Sequence, residues 1–187
     1  VTPDGQAVLV ANHLPKTRTD ADFTGSVAPV ITVINTASHD TTAIELAHGS
    51  SSLRGVCVSP DGRYAFVTHI LSNFQMVPFR VDMGWINVNV ISLIDLQQQK
   101  VVSTVGLDEL DLGAGNPWDV ACTADGAFIC VSRYGAHELS VIDNSALLDE
   151  FTRRSMSPMP GAWPVYPSLG GSRWRRIKLP GKGPRGV

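Results

Sequence analysis

A 13-residue segment occurs three times in this chain, and it constrains the fold more than any other feature. It reads VTPDGQAVLVANH at 1–13, VSPDGRYAFVTHI at 58–70 and CTADGAFICVSRY at 122–134. Each copy places Asp-Gly between a short apolar run and a longer alternating one. Because glycine accepts the positive φ that a tight turn needs, Asp-Gly in this setting predicts a β-hairpin. We therefore expect three equivalent hairpins.

Each hairpin is followed by further alternating segments. They predict a third strand in every unit, at 30–38, 89–97 and 138–146, and a fourth at 41–47, 100–107 and 173–181. Repeated units of four antiparallel strands are typical of β-propeller blades. We predict an all-β fold with blades at roughly 1–47, 53–107 and 117–181.

The combination of VSPDGRYAFVTH, SLIDL and KVVSTV in the second unit resembles the YVTN-type β-propeller repeat family. The resemblance covers the three hairpins and third strands, roughly half of the chain. It implies a bacterial propeller of a class that is often secreted or on the cell surface, so we expect a periplasmic or extracellular protein. Some similar propellers accompany c-type cytochrome or haem-peroxidase domains, and others are lactonases.

The number of units is smaller than a closed propeller needs, since closed rings have about four to eight blades. We therefore expect 1–187 to be a partial propeller, or a ring closed by other chain segments or by further copies. The glycines of LPGKGPRGV match the spacing of a dinucleotide-binding loop. Pro184 removes a backbone donor from such a loop, and the pattern lacks a following helix. We interpret 184–187 as the start of a further blade.

The starts of the units align as LRGV at 53–56, PWDV at 117–120 and PRGV at 184–187. Arg54, Trp118 and Arg185 therefore occupy equivalent positions, close to the mouth of the central channel that a propeller would enclose. Arginine and tryptophan at such a rim can bind a carboxylate, a phosphate or a planar ring. The alternative is that the arginines satisfy backbone carbonyls between blades.

Two long insertions separate the second and third strands of the first two units, on the face opposite the Asp-Gly turns. Loops on a rigid scaffold commonly carry binding residues. The candidates on this insertion face are His13, His69, Trp85 and Asn87. His69 aligns with Asn12 rather than with His13, and a one-residue offset points strand side chains to opposite faces. The sequence therefore predicts no shared metal site.

The chain has three cysteines, without the C-x-x-C or C-x-x-C-H spacing of a metal site or an attached haem. Cys122 and Cys130 lie on adjacent strands of one hairpin. If the register places them opposite each other, a cross-strand disulfide can form. The alternative is two small buried thiols.

Charge and hydropathy narrow the classes of partner. Net charge is −2, and residues 153–187 contain eight basic residues and no acidic ones. A basic segment on a mildly acidic chain is weak support for nucleic-acid binding, and no apolar run is long enough for a membrane helix. We expect a protein partner, or the remaining blades of a longer chain, and no cofactor held by these residues.

Two functions remain open from the sequence. The first is a non-catalytic, extracytoplasmic binding or scaffold module that docks a redox partner, such as a haem protein. The second is a lactonase-like hydrolase at the channel mouth, where Arg54 and Arg185 would polarise a lactone carbonyl and a histidine would assist water attack. The lack of an assembled catalytic motif favours the binding module.

Overall fold

The computed structural model describes residues 1–14, 28–72, 87–109, 113, 115–156 and 173–187. The elements in these ranges are β1 (Ala7–Ala11), β2 (Val30–Asn35), β3 (Thr41–Glu45), β4 (Ser50–Ser51), β5 (Val56–Val58), β6 (Tyr64–Ser72), β7 (Asn87–Asp95), β8 (Lys100–Gly106), β9 (Pro117–Cys122), β10 (Phe128–Arg133), β11 (Glu138–Asp143), α1 (Asn144–Met156) and β12 (Trp174–Lys178).

The strands form three antiparallel sheets, which confirms the predicted all-β, propeller-like fold. The first sheet has the order β1-β2-β3, and the third has the order β12-β11-β10-β9. The second has the order β4-β6-β7-β8, and β5 also pairs with β6. The first sheet thus has three described strands instead of the predicted four. The described residues of that unit contain no strand equivalent to β5 or β9.

The Asp-Gly turn has the same internal bonds in all three units. A hydroxyl donates to the aspartate two residues on, at 2.6 Å from Thr2 to Asp4, 2.5 Å from Ser59 to Asp61 and 2.6 Å from Thr123 to Asp125. This bond lowers the pKa of each of these aspartates. Each turn glycine has a positive φ of +71° or +72°. We call the end of the sheets that carries these turns the turn face.

Successive turns also pack on one another in the same way. Pro3 lies 3.6 Å from the point where a Cβ on Gly62 would sit, and Pro60 lies 3.7 Å from the equivalent point on Gly126. The proline of one unit therefore contacts the glycine of the next at both junctions. This repeated step is the local signature of sheets stacked around a common centre.

The core is divided between the two junctions of the three sheets. The first junction buries Leu9, Ile31, Val33, Ile44, Leu46, Leu53, Ala65, Val67 and Ile94. The second buries Phe66, Ile91, Leu93, Val105, Leu107, Val120, Ile129, Val131, Ile142, Leu147, Phe151 and Trp174. In β6, alternate residues point to alternate junctions, so the strand is buried on both faces. This explains why its sequence is apolar almost throughout.

A helix, α1, follows β11 from Asn144, where the sequence predicts that the third strand continues to residue 146. Asp143 caps α1, because its carboxylate accepts the Ala146 N–H at 3.1 Å. Leu147 and Phe151 are spaced one turn apart, and both are fully buried in the second junction. The proline-rich stretch 158–167 lies outside the described residues.

The register of the third sheet does not place Cys122 opposite Cys130. Cys122 pairs with Ile129, and Cys130 pairs with Ala121. Directly paired residues share a face of the sheet and neighbours along a strand alternate, so the two thiols point to opposite faces. The condition for a disulfide across this hairpin is therefore not met, and the three cysteines are free.

Candidate functional site

The twelfth position of the repeat forms the same internal bond in every unit. Its side chain contacts a hydroxyl on the neighbouring third strand, at 2.7 Å from Asn12 to Thr32, 2.8 Å from His69 to Ser92 and 2.5 Å from Arg133 to Ser140. His69 is fully buried, and burial lowers its pKa to about 4. The prediction that His69 lies on a binding surface is wrong, because this position serves the interior of each sheet.

The other residues predicted on the insertion face are more dispersed. His13 is exposed, and its Nδ1 lies 3.3 Å from the Leu53 carbonyl oxygen. Asn87 is exposed and accepts a bond from the Ser72 hydroxyl at 2.7 Å. Trp85 lies outside the described residues. His13 thus borders the loop that leads to Arg54, whereas Asn87 is held at the base of the second insertion.

The structure brings Arg54, Trp118 and Arg185 together. Trp118 is the second residue of β9, next to Pro117, which pairs with Arg133 at the end of β10. This end of the sheets is opposite the Asp-Gly turns, and we call it the mouth face. The Arg54 guanidinium carbon lies 3.8 Å from the Trp118 ring centroid, and that of Arg185 lies 5.0 Å from it. Both distances are within the range of a cation–π contact.

Tyr134 completes this group, and it was not among the predicted site residues. Its ring centroid is 5.0 Å from that of Trp118, and the Arg185 guanidinium carbon is 5.4 Å from it. A usable signal is present in the sequence, since Tyr134 is the thirteenth residue of its repeat and is equivalent to His13. We call Arg54, Trp118, Tyr134 and Arg185 the mouth cluster.

The segment after β12 is held against Tyr134, and this positions Arg185. Gly183 has a φ of +64°, and a Cβ there would lie 2.9 Å from the tyrosine ring. Its N–H donates to Nδ1 of His137 at 3.0 Å. Two residues beyond Arg185, the Val187 N–H donates to the Asp119 carboxylate at 3.1 Å. A glycine is therefore required where the chain passes the aromatic ring.

Close backbone contact fixes the other side of the cluster. A Cβ on Gly55 would lie 2.7 Å from the Cα of Asp119 and 2.7 Å from the N of Val120. Only glycine lets the starts of β5 and β9 approach this closely. Arg54 directly precedes Gly55 and Trp118 directly precedes Asp119, so this contact sets the distance between the guanidinium and the indole.

The mouth cluster has an excess of positive charge. Burial and the charge of Arg185 both lower the pKa of Arg54. Nη1 of Arg54 is enclosed without a hydrogen-bond partner. Within the described ranges, neither Arg54 nor Arg185 forms an ion pair with a carboxylate. Two adjacent guanidiniums beside two aromatic rings form a site suited to a carboxylate or another flat anion.

The described ranges do not present a metal site, a membrane-spanning helix or an accessible catalytic pair. These residues include no group of three or more His, Cys, Asp or Glu side chains arranged to hold a metal ion. None of their helices is long and apolar enough to cross a membrane. The contact between His69 and Ser92 pairs a base with a hydroxyl, but both side chains are fully buried. No substrate can reach them in this fold.

The chain as a whole resembles known proteins. The chain is similar to hydrazine synthase subunit beta of Kuenenia stuttgartiensis. The two are 26% identical over 148 residues, which is 79% of this chain and 36% of the relative. The chain thus spans about a third of the length of the curated relative it matches. No protein-family model matches the chain, so the likeness to YVTN propellers remains a resemblance.

The fold also occurs in a solved structure. The structure of Kuenenia stuttgartiensis hydrazine synthase matches 100% of this chain and 50% of its own chain, with a TM-score of 0.72 and 23% identity. A Bacteroides fragilis protein described as a candidate 6-phosphogluconolactonase matches 75% of this chain and 32% of its own, with a TM-score of 0.48 and 11% identity. That second likeness is too weak to support lactonase chemistry here.

Proposed function

We propose that this chain is a non-catalytic β-propeller scaffold within a multi-subunit redox enzyme, and that the mouth cluster docks an acidic group of a partner protein. The observation that carries the proposal is the pair of guanidiniums at Arg54 and Arg185, which stack on Trp118 without a carboxylate partner among the described residues. The relative named hydrazine synthase subunit beta supports the assignment to a multi-subunit enzyme.

The electrostatics favour docking over internal support. Two like charges held together destabilise the free protein, and an incoming carboxylate would offset that repulsion. The aromatic rings orient the planar guanidinium groups, so that less side-chain freedom is lost when a partner binds. Arg185 is exposed, and so is His13, which contacts the Leu53 carbonyl next to Arg54, so these residues leave the cluster open to a macromolecule.

Among the described residues, the side chains of the mouth cluster offer no base for the hydrolysis of a lactone. His69 is fully buried, and its pKa is lowered to about 4 by burial. The Nδ1 atom of His13 faces a carbonyl oxygen of its own chain at 3.3 Å. The described residues of the mouth cluster comprise only guanidinium, indole and phenol groups, which bind anions but do not activate water at neutral pH. We therefore favour docking.

The test is co-purification from the parent organism with an affinity tag on the protein. Wild type is compared with the double variant Arg54→Ala/Arg185→Ala and with Arg63→Ala. Arg63 is a matched control, because its guanidinium carbon stacks 4.8 Å from the Tyr64 ring at the turn face. Captured proteins are identified by mass spectrometry, and the visible absorbance of the eluate reports a haem partner.

We expect one partner in stoichiometric amount with wild type and with Arg63→Ala, and about ten-fold less with the double variant. The captured amount should also fall as salt is raised, since exposed charge contacts are screened. Equal capture by all three proteins would show that the mouth cluster is not the docking site. If wild type turns over a lactone and the double variant does not, the mouth cluster is a catalytic site and not a docking site.

A further inference from the structure

Two thiols from different sheets lie in direct contact at the second junction. Cys57 is in β5 and Cys122 ends β9, and their Sγ atoms are 3.1 Å apart. Both are free cysteines in the structure. A disulfide bond is about 2.0 Å long, so a shift of about 1 Å would bring the sulfurs to bonding distance. The two inner strands are already close, because Gly55 packs on the backbone of Asp119.

The surroundings of the two thiols give them different reactivity. Cys57 and Cys122 are half-buried and pack against the core of the second junction. A hydrogen bond between them lowers the pKa of Cys122, while the same bond and burial raise that of Cys57. The thiolate is the nucleophile in disulfide exchange, so Cys122 is the residue that attacks first.

We propose that Cys57 and Cys122 are an oxidisable pair that a small-molecule disulfide converts into a covalent link between the second and third sheets. The Cys122 thiolate attacks one sulfur of the oxidant, forms a mixed disulfide and releases the first thiolate. The Cys57 sulfur, after loss of its proton to solvent, then attacks Cys122 and displaces the second. The protein dithiol is thereby oxidised to a disulfide, and the oxidant is reduced to two thiols.

The position of the link determines what it would do. The two cysteines are 65 residues apart in sequence, and β6, β7 and β8 lie between them. A bond between them would close this long segment into a loop and restrict the unfolded chain. It would also fasten β5 to β9, the strands that follow Arg54 and contain Trp118. This inference does not depend on the docking function.

The test uses the whole chain and its cysteine variants. Reduced protein is incubated with oxidised glutathione, its free thiols are counted after denaturation, and its peptides are mapped without reduction. Cys130→Ser is the matched control, because Cys130 pairs with Ala121 and faces away from Cys122. Cys57→Ser removes one partner of the contact.

We expect wild type to fall from three free thiols to one, and Cys130→Ser from two to none, with Cys57 and Cys122 joined in the mapped peptides. The melting temperature of both should rise by several degrees on oxidation and return on reduction. Cys57→Ser should form no internal link. A mapped bond to Cys130, a lasting glutathione adduct on Cys122, or three thiols remaining in wild type would each overturn the proposal, even if Cys57→Ser fails to fold.

Discussion

On the turn face the three units make the same contacts, whereas on the mouth face equivalent positions hold different residues in different surroundings. The hydroxyl-to-aspartate bond is 2.5–2.6 Å long in all three turns. At the opposite end, the thirteenth repeat position holds His13, Ile70 and Tyr134. The turn face is therefore built in the same way in all three units, whereas the residues on the mouth face differ from unit to unit.

This difference identifies where function can reside. Contacts that recur in every unit are explained by the fold, because each unit needs the same turn and the same step to its neighbour. A contact that the described residues show once, such as Arg54 stacked on Trp118, is not explained by the repeated turns. The same reasoning separates His69, whose bond recurs in every unit, from Tyr134, whose ring contacts belong to the mouth cluster.

The largest expected effect is at the glycine beneath the mouth cluster. Gly55→Ala places a Cβ 2.7 Å from the backbone of Asp119. Because backbone atoms on both sides must shift, we expect a loss of about 3 kcal/mol in the free energy of unfolding. Urea unfolding followed by fluorescence measures it.

The equivalent residue provides the control for this substitution. Gly186 has nothing within 4 Å of its would-be Cβ, so Gly186→Ala should change stability by less than about 0.5 kcal/mol. Equal losses in both variants would mean that the equivalent positions have the same surroundings. The contrast between a uniform turn face and a variable mouth face would then be wrong.

The second effect is a pH dependence centred on the twelfth repeat position. The pKa of His69 falls from 6.5 to about 4 on folding, so the unfolded chain binds a proton first as pH drops. The contribution of His69 to stability is therefore fully present above its unfolded pKa of 6.5 and is lost as the pH falls from there towards 4. Because of this histidine, the free energy of unfolding should be about 2 kcal/mol lower at about pH 5 than at about pH 7.5.

His69→Asn separates this contribution from that of the carboxylates. The first unit already has Asn12 at the equivalent position, bonded to Thr32 at 2.7 Å, so asparagine is compatible with this site. Between about pH 7.5 and about pH 5, the free energy of unfolding of wild type should fall by about 2 kcal/mol relative to that of His69→Asn. A difference that does not change with pH would show that His69 is accessible to protons in the folded state.

The repeat explains how much of this molecule the sequence could predict. Asp-Gly turns and alternating strands are local signals, so the three sheets and the convergence of Arg54, Trp118 and Arg185 follow from aligning the units. The contact between Cys57 and Cys122 does not follow, because their repeat positions differ by one. That contact depends on the stagger between sheets, which no local pattern encodes.

Two other differences have the same origin. In the sequence His69 comes shortly before a long insertion and resembles a surface ligand, but β6 continues to Ser72 and is buried on both faces at this position. The third strand predicted at 138–146 ends at Asp143, because Leu147 and Phe151 pack into the second junction and stabilise α1 from Asn144. In both cases tertiary burial decides the outcome.

A smaller and uniform effect is expected on the turn face. Ser59→Ala removes a hydroxyl that donates to Asp61 and accepts the Tyr64 N–H at 2.9 Å. We expect a loss of about 1 kcal/mol, similar to that of a helix cap. Thr123→Ala should give the same loss within about 0.5 kcal/mol, because its bonds are equivalent. Clearly unequal values by thermal or urea unfolding would show that the turns differ in function.

The smallest effect on stability is expected within the mouth cluster itself. Arg54→Met keeps an apolar stem on Trp118 and removes one of two mutually repelling charges. The lost cation–π contact is worth about 0.5–1 kcal/mol at a partly exposed site, and relief of the repulsion offsets it. The net change in the free energy of unfolding should therefore stay below about 0.5 kcal/mol.

Salt dependence then distinguishes a binding site from a structural support. Raising the ionic strength should stabilise wild type slightly more than Arg54→Met, because salt screens the repulsion between Arg54 and Arg185 only in wild type. Arg63→Met at the turn face should show no such difference. If Arg54→Met instead loses more than about 2 kcal/mol, Arg54 supports the junction between the sheets. The variation on the mouth face would then be structural, and the charge would not be available for a partner.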